Sequence, residues 1–169
     1  AFFSGFLIWI YMTIFRTTAG VAIFLRICGT IIHGALSYGV FKVLRRFLSG
    51  EYSFYLGILY FNLLPKGYVT PEFSNLLIWF LTLLLLDLFR LDDKKNPLIA
   101  LRCGIWMCGM VLSYPSALLL FPFFFRYLWK QNGYGRKSSL FFAGTCFVSG
   151  ALYLLSLFSY LSVTELFDN

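Results

Sequence analysis

The sequence predicts an all-α fold: a polytopic transmembrane helical bundle of about seven membrane elements. Three observations carry this. Apolar residues fill 60% of the 169 positions and charged residues only 12%, with a mean hydropathy of +0.79; a soluble domain holds about twice that share of charge. The apolar runs cover nearly the whole chain without the period-two alternation of a β-barrel. Hydrocarbon offers no hydrogen bonds, so such runs must satisfy their own backbone as helices. Finally, Lys and Arg pile up in every second gap between the runs. Lys42, Arg45 and Arg46 fill one gap, Arg90, Lys94 and Lys95 another, and Arg126, Lys130, Arg136 and Lys137 a third. The gaps between hold only Arg16, only Lys66 and, at 113–115, no charge.

The elements follow in order. The first covers 2–15 and is short for a full span. The second runs over 19–43 and closes on the Lys42 cluster. A third, 52–64, is again short and stops at Pro65. The fourth and fifth cover 73–89 and 97–112, the latter opening on Pro97, where a missing N–H costs least. The sixth, 116–129, contains Pro122 and is expected to kink there. The seventh covers 140–161. Several of these fall below the ~20 residues of a perpendicular span, so short, buried or re-entrant segments are expected.

Lys/Arg-rich loops stay in the cytoplasm, so the alternation also gives orientation. The N-terminus is expected in the cytoplasm. Arg16, the 66–72 loop, 113–115 and the C-terminus are expected on the outer or luminal face of a multi-pass protein. Residues 1–169 read as one transmembrane helical domain without a soluble unit, long linker or internal repeat. The chain opens AFFSGF, without Met or a signal-peptide pattern, and is expected to be a fragment of a larger membrane protein.

The net charge of +7 sits at helix ends, where topology accounts for it, so no nucleic-acid partner is expected; membrane lipid is. Cys28, Cys103, Cys108 and Cys146 all lie in apolar stretches, no CxxC occurs and His33 is the sole histidine. Neither a metal site nor a cofactor is expected, and the cysteines read as small packing residues.

Few polar residues remain to carry chemistry. Arg26 lies within the second element, where a charge is costly; it either snorkels to the headgroups or binds phosphate. Asp87 and Arg102 face each other across antiparallel neighbours as a structural ion pair. His33 reads as a hydrogen-bonded packing residue, and Gly29, Gly34 and Gly39, five apart, keep no common face. The most polar outer stretch is 65–72. There Thr70-Pro71-Glu72 either starts a helix with an acid in its first turn or offers Glu72 to a sugar or headgroup, with Lys66 as a phosphate contact.

From Arg26 to Trp129 the order of features resembles the polytopic GT-C glycosyltransferases, mannosyltransferase-like enzymes that use lipid-phosphate-linked sugars. Arg26-Ile27-Cys28-Gly29 leads a helix that closes on Lys42-Val43-Leu44-Arg45-Arg46. Gly57 to Pro65 is similar to the family's next short helix, and Thr70-Pro71-Glu72 to its Thr-Pro-acid outer loop. Gly104 and Gly109 then run into Leu112-Ser113-Tyr114-Pro115-Ser116, similar to its Gly-rich helix and outer turn.

The resemblance implies transfer of a sugar from a polyprenyl-phosphate carrier to an acceptor on the outer face, in a bacterial inner membrane or, alternatively, an organelle membrane. Its substrate-binding residues are expected to be Arg26, Lys66, Glu72 and Arg16. The family's paired catalytic acids lie in its first large outer loop. Here no acid precedes Glu51, so the resemblance implies that this loop precedes Ala1 and leaves the catalytic residues unknown. Two other classes fit the composition: an accessory subunit with partner membrane subunits, and part of a lipid or polysaccharide transporter, which would show inverted repeats.

Overall fold

The computed structural model describes residues 2–63, 69–94, 97–130 and 135–160. Among them the chain is all-helical: α1 (Phe2–Phe15), α2 (Val21–Leu44), α3 (Gly50–Phe61), α4 (Phe73–Lys94), α5 (Pro97–Ser113), a 3₁₀ turn (Pro115–Leu120), α6 (Phe121–Lys130) and α7 (Gly135–Tyr160). Three helices have the length and composition to cross a membrane: Val21–Leu44, Phe73–Arg90 and Arg136–Leu155. At 1.5 Å per residue these reach about 36, 27 and 30 Å, against a hydrocarbon core of about 30 Å. The other four, at 14, 12, 17 and 10 residues, are shorter than a perpendicular span.

The sixth element differs from the expectation. Pro122 does not kink a continuous helix. Instead Pro115–Leu120 winds as a 3₁₀ turn and α6 starts at Phe121, with Pro122 in its first turn. A first-turn N–H has no intrahelical acceptor, so proline there costs no hydrogen bond. α7 also starts five residues early, at Gly135, so Arg136 and Lys137 extend the helix itself.

Side-chain contacts give the helix directions. Ser37 Oγ donates to Gly57 O at 2.6 Å, and His33 reaches Phe61, so α3 runs antiparallel to α2. His33 pairs with Trp79 and Gly39 meets Leu86, so α2 and α4 run parallel. Asp87 meets Arg102 and Trp106, making α5 antiparallel to α4. Gly104 packs on Thr145 and Cys108 on Cys146, so α5 and α7 run parallel. The Phe121–Phe142 stack at 5.3 Å and Arg136 over Trp129 set α6 antiparallel to α7.

The larger core lies between α4, α5, α6 and α7 around Leu84, Cys103, Met107, Met110, Leu128 and Phe142. A smaller one joins α2 to α4 through Leu36, Leu76 and Trp79. α4 touches both cores. Elsewhere large apolar side chains face outward, among them Ile31, Tyr55, Phe123 and Phe147. Water would oppose that surface at about 25 cal/mol per Å², whereas lipid would not.

The alternating directions bring the basic turns to one end. Phe47, just past Arg46, lies 6.0 Å from Phe89, one residue before Arg90. Phe89 in turn shares a groove with Phe123, Phe124 and Tyr127, next to Arg126. Lys95 lies outside the described residues.

Candidate functional site

Polar groups collect at two places in the bundle. At the basic end, the Asp87 carboxylate is buried. Trp106 Nε1 donates to its Oδ2 at 2.8 Å and Arg102 Nε lies 3.2 Å from the same oxygen. Arg90 approaches Oδ1 at 3.6 Å. The two guanidinium groups are about half exposed, at 47% and 48%. The expected Asp87–Arg102 pair is therefore present, with Trp106 and Arg90 added. Several donors share one carboxylate, which suits it to fixing α4 on α5.

The opposite end holds the residues expected to bind a ligand. Its foundation is His33, which is 1% exposed. Trp79 Nε1–H donates to His33 Nδ1 at 3.0 Å. Indole nitrogen only donates, so Nδ1 is the acceptor and Nε2 carries the proton. Nε2–H then points at the Phe61 and Tyr60 carbonyls, at 3.1 and 3.3 Å. Tyr60 O also accepts from Leu63 N–H at 3.0 Å, and His33 caps the Phe61 carbonyl at the end of α3 from the side. Tyr60 stacks on the imidazole at 5.1 Å and shares a 2.8 Å hydrogen bond with Thr82. His33 thus joins α2, α3 and α4 as a packing residue, in line with its reading from the sequence.

Residues 69–72 lie on this foundation, strapped from three sides. Ser4 Oγ of α1 donates to Pro71 O. Asn75 Nδ2 of α4, itself buried, donates to Thr70 O at 2.8 Å. On α2, Gly29 sits so close to Val69 that a Cβ would fall 2.5 Å from its carbonyl oxygen. The Thr70 and Ser74 hydroxyls are buried on either side of Glu72 with no hydrogen-bond partner among the described residues.

Arg26, Gly29 and His33 are spaced i, i+3 and i+7, so they share one face of α2. Counting two turns back from the His33–Trp79 pair reaches Arg26 on α2 and Glu72 at the start of α4. The structure therefore brings Arg26 and Glu72 to one depth, either side of the Gly29–Val69 joint. Arg26 is exposed and Glu72 half-buried.

Arg16 does not join them. It occupies the α1–α2 turn with a left-handed φ of 52°, and Gly20 follows at φ 86°. There Tyr11 crosses the turn, its hydroxyl donating to Ala19 O and its ring 5.0 Å from that of Phe24. The rise from Arg26 to Gly20 alone is about 9 Å, which puts Arg16 beyond the Glu72 level. Lys66 and the 165–169 tail lie outside the described residues.

The five-residue glycine spacing keeps no common face, as expected. Gly29, Gly34 and Gly39 face three different neighbours: Val69, Phe61 and Leu86. Three residues of the site went unnoticed in the sequence: Ser4, Asn75 and Trp79. The usable signal was the Arg26-x-x-Gly29-x-x-x-His33 stripe, which ties a charge within an apolar helix to a close-approach glycine and a buried polar group.

Chemically, this end presents a guanidinium, a carboxylate and two buried hydroxyls at one level. A guanidinium fork suits phosphate oxygens, and a carboxylate accepts from hydroxyls. No group of three or more His, Cys, Asp or Glu that could hold a metal ion occurs among the described residues. In comparisons with protein-family models, curated proteins and solved structures, nothing matches the chain.

Proposed function

We propose that this chain is a segment of an integral membrane glycosyltransferase of the GT-C type, using a sugar donor carried on a polyprenyl phosphate. The observation that carries the reading is the common depth of Arg26 and Glu72 at the end of the bundle away from the three basic turns. In this reading those turns lie in the cytoplasm, and the Arg26–Glu72 level faces the exterior or lumen.

Each residue then has a task. Arg26 and Lys66 hold the carrier phosphate and take up negative charge as the sugar leaves. Glu72 accepts a hydrogen bond from a sugar hydroxyl. Gly29 and His33 set the distance between α2 and the 69–72 segment. Arg16 serves as an outlying cation at the α1–α2 turn. The general base that activates the acceptor belongs, in this reading, to the family's acidic outer loop.

The test is retention of polyprenyl phosphate, followed by native mass spectrometry of the intact protein released from micelles. A charge-assisted contact contributes about 1.5–3 kcal/mol, so Arg26→Ala or Lys66→Ala should weaken retention about ten- to a hundredfold. Glu72→Ala should leave retention unchanged and lower sugar transfer. Unchanged retention in both cation variants removes this end of the bundle from carrier binding. The accessory-subunit reading is favoured by one feature, the outward apolar face of α3 with Tyr52, Phe54, Tyr55 and Leu59 exposed. Recovery of the chain in a fixed stoichiometric complex, without carrier retention, would favour it.

A further inference from the structure

Away from that end, two cysteines meet where α5 and α7 come closest. A Cβ on Gly104 would fall 2.7 Å from Thr145 Cβ and 3.0 Å from Phe142 O, so the two backbones are nearly in contact. Cys108 follows Gly104 by one turn on α5, and Cys146 follows Thr145 on α7. Cys146 Sγ lies 3.6 Å from Gly104 O, and Cys108 Sγ lies 3.8 Å from Cys146 O. Each sulfur thus reaches the backbone of the facing helix, and Cys108, Cys146 and Ser149 line one cavity. Both are free thiols.

A disulfide needs Cα atoms about 4.4–6.8 Å apart. Between helices this occurs only where small residues let the axes approach, and Gly104 provides that approach. Both sulfurs line a cavity of about 520 Å³ between α5, the 3₁₀ turn and α7, walled by Val111, Leu118, Phe121 and Tyr153. The size is that of a small-molecule pocket. Its apolar walls disfavour a charged aqueous oxidant such as glutathione disulfide, which would have to shed its hydration. A neutral, ring-shaped oxidant dissolved in lipid has no such cost.

We propose that Cys108 and Cys146 form a dithiol site that a membrane-soluble quinone oxidises to a disulfide bridging α5 and α7. The reaction breaks two S–H bonds and forms one S–S bond. Two electrons and two protons pass to the quinone oxygens, giving the hydroquinone. Cys108, which shares the cavity lining with Ser149, is the attacking sulfur. Cys146 closes the bridge. Cys28 on α2 and the fully buried Cys103, whose Sγ faces Leu84 O, lie outside the cavity lining and serve as internal controls.

The experiment uses the intact protein in phosphatidylcholine vesicles, incubated with decylubiquinone, then denatured in N-ethylmaleimide, digested and mapped by mass spectrometry. The expected result is loss of alkylation at Cys108 and Cys146 together, with one cross-linked peptide pair lighter by two hydrogens. Dithiothreitol should restore both, while Cys28 and Cys103 stay alkylated throughout. In Cys108→Ser, Cys146 should remain alkylated after quinone. The wild-type map is decisive even where that variant folds poorly. Full alkylation of both cysteines after quinone, a quinone adduct that persists on either sulfur in place of the bridge, or a bridge through Cys28 or Cys103 would overturn the proposal.

Discussion

Replacing Gly29 by alanine tests the joint between α2 and the 69–72 segment. The new methyl carbon would lie 2.5 Å from Val69 O and 3.0 Å from Val69 C. Ordinary contact begins at 3.4 Å, so the joint must open by about 0.9 Å against backbone, which cannot rotate away as a side chain can. Overpacking of this kind costs about 1–3 kcal/mol. Alanine also returns about 0.5–1 kcal/mol of helix propensity over glycine. The net effect expected is a loss of about 1–2 kcal/mol, or roughly 2–8 °C in the thermal midpoint for a chain of this size. Gly144→Ala is the matched control, because nothing lies within 4 Å of a Cβ there. With propensity acting alone it should gain about 0.5–1 kcal/mol. The assay is thermal unfolding in detergent, followed by exposure of buried thiols to a maleimide dye. Midpoints that rise equally in Gly29→Ala and Gly144→Ala would refute the tight joint.

Three further outcomes follow from buried polar groups and backbone strain. His33→Ala removes the acceptor of Trp79 Nε1 and the donor to the Phe61 carbonyl, each orphaned group costing about 1–3 kcal/mol; chemical denaturation should show it to be more damaging than Gly29→Ala. Asp87→Ala strands Trp106 Nε1–H and the Arg102 guanidinium, a loss of about 3 kcal/mol. Arg90→Ala, which removes a half-exposed partner at 3.6 Å, should cost under about 1 kcal/mol in the same titration, and equal losses would contradict the ranking. Arg16→Gly relieves a left-handed residue and should raise the unfolding midpoint by the equivalent of about 1 kcal/mol, whereas Arg16→Ala should bring no such gain.

The sequence by itself determined the elements. Hydropathy and the spacing of Lys and Arg located the helical segments to within about five residues at each end, because burial of an apolar run and charge at its ends are local properties of composition. Alternating clusters also implied that the basic turns share one end, and the Phe47–Phe89 contact and the Phe89–Tyr127 groove place them there. The Asp87–Arg102 pair was legible for the same reason, since antiparallel neighbours joined by a short turn fix its depth. Tertiary structure decided which faces meet. The spacing of Gly29, Gly34 and Gly39 told that they keep no common face but not which partner each serves, because no local rule names a partner. Ser4 meets Pro71, 67 positions away, and His33 meets Trp79, 46 away; such pairings depend on how helices roll against one another. Pro122 marks the same boundary between local and global information. Its ring forbids an interior helical hydrogen bond, and the chain meets this with a fresh helix start at Phe121, whose ring stacks on Phe142, in place of a kink.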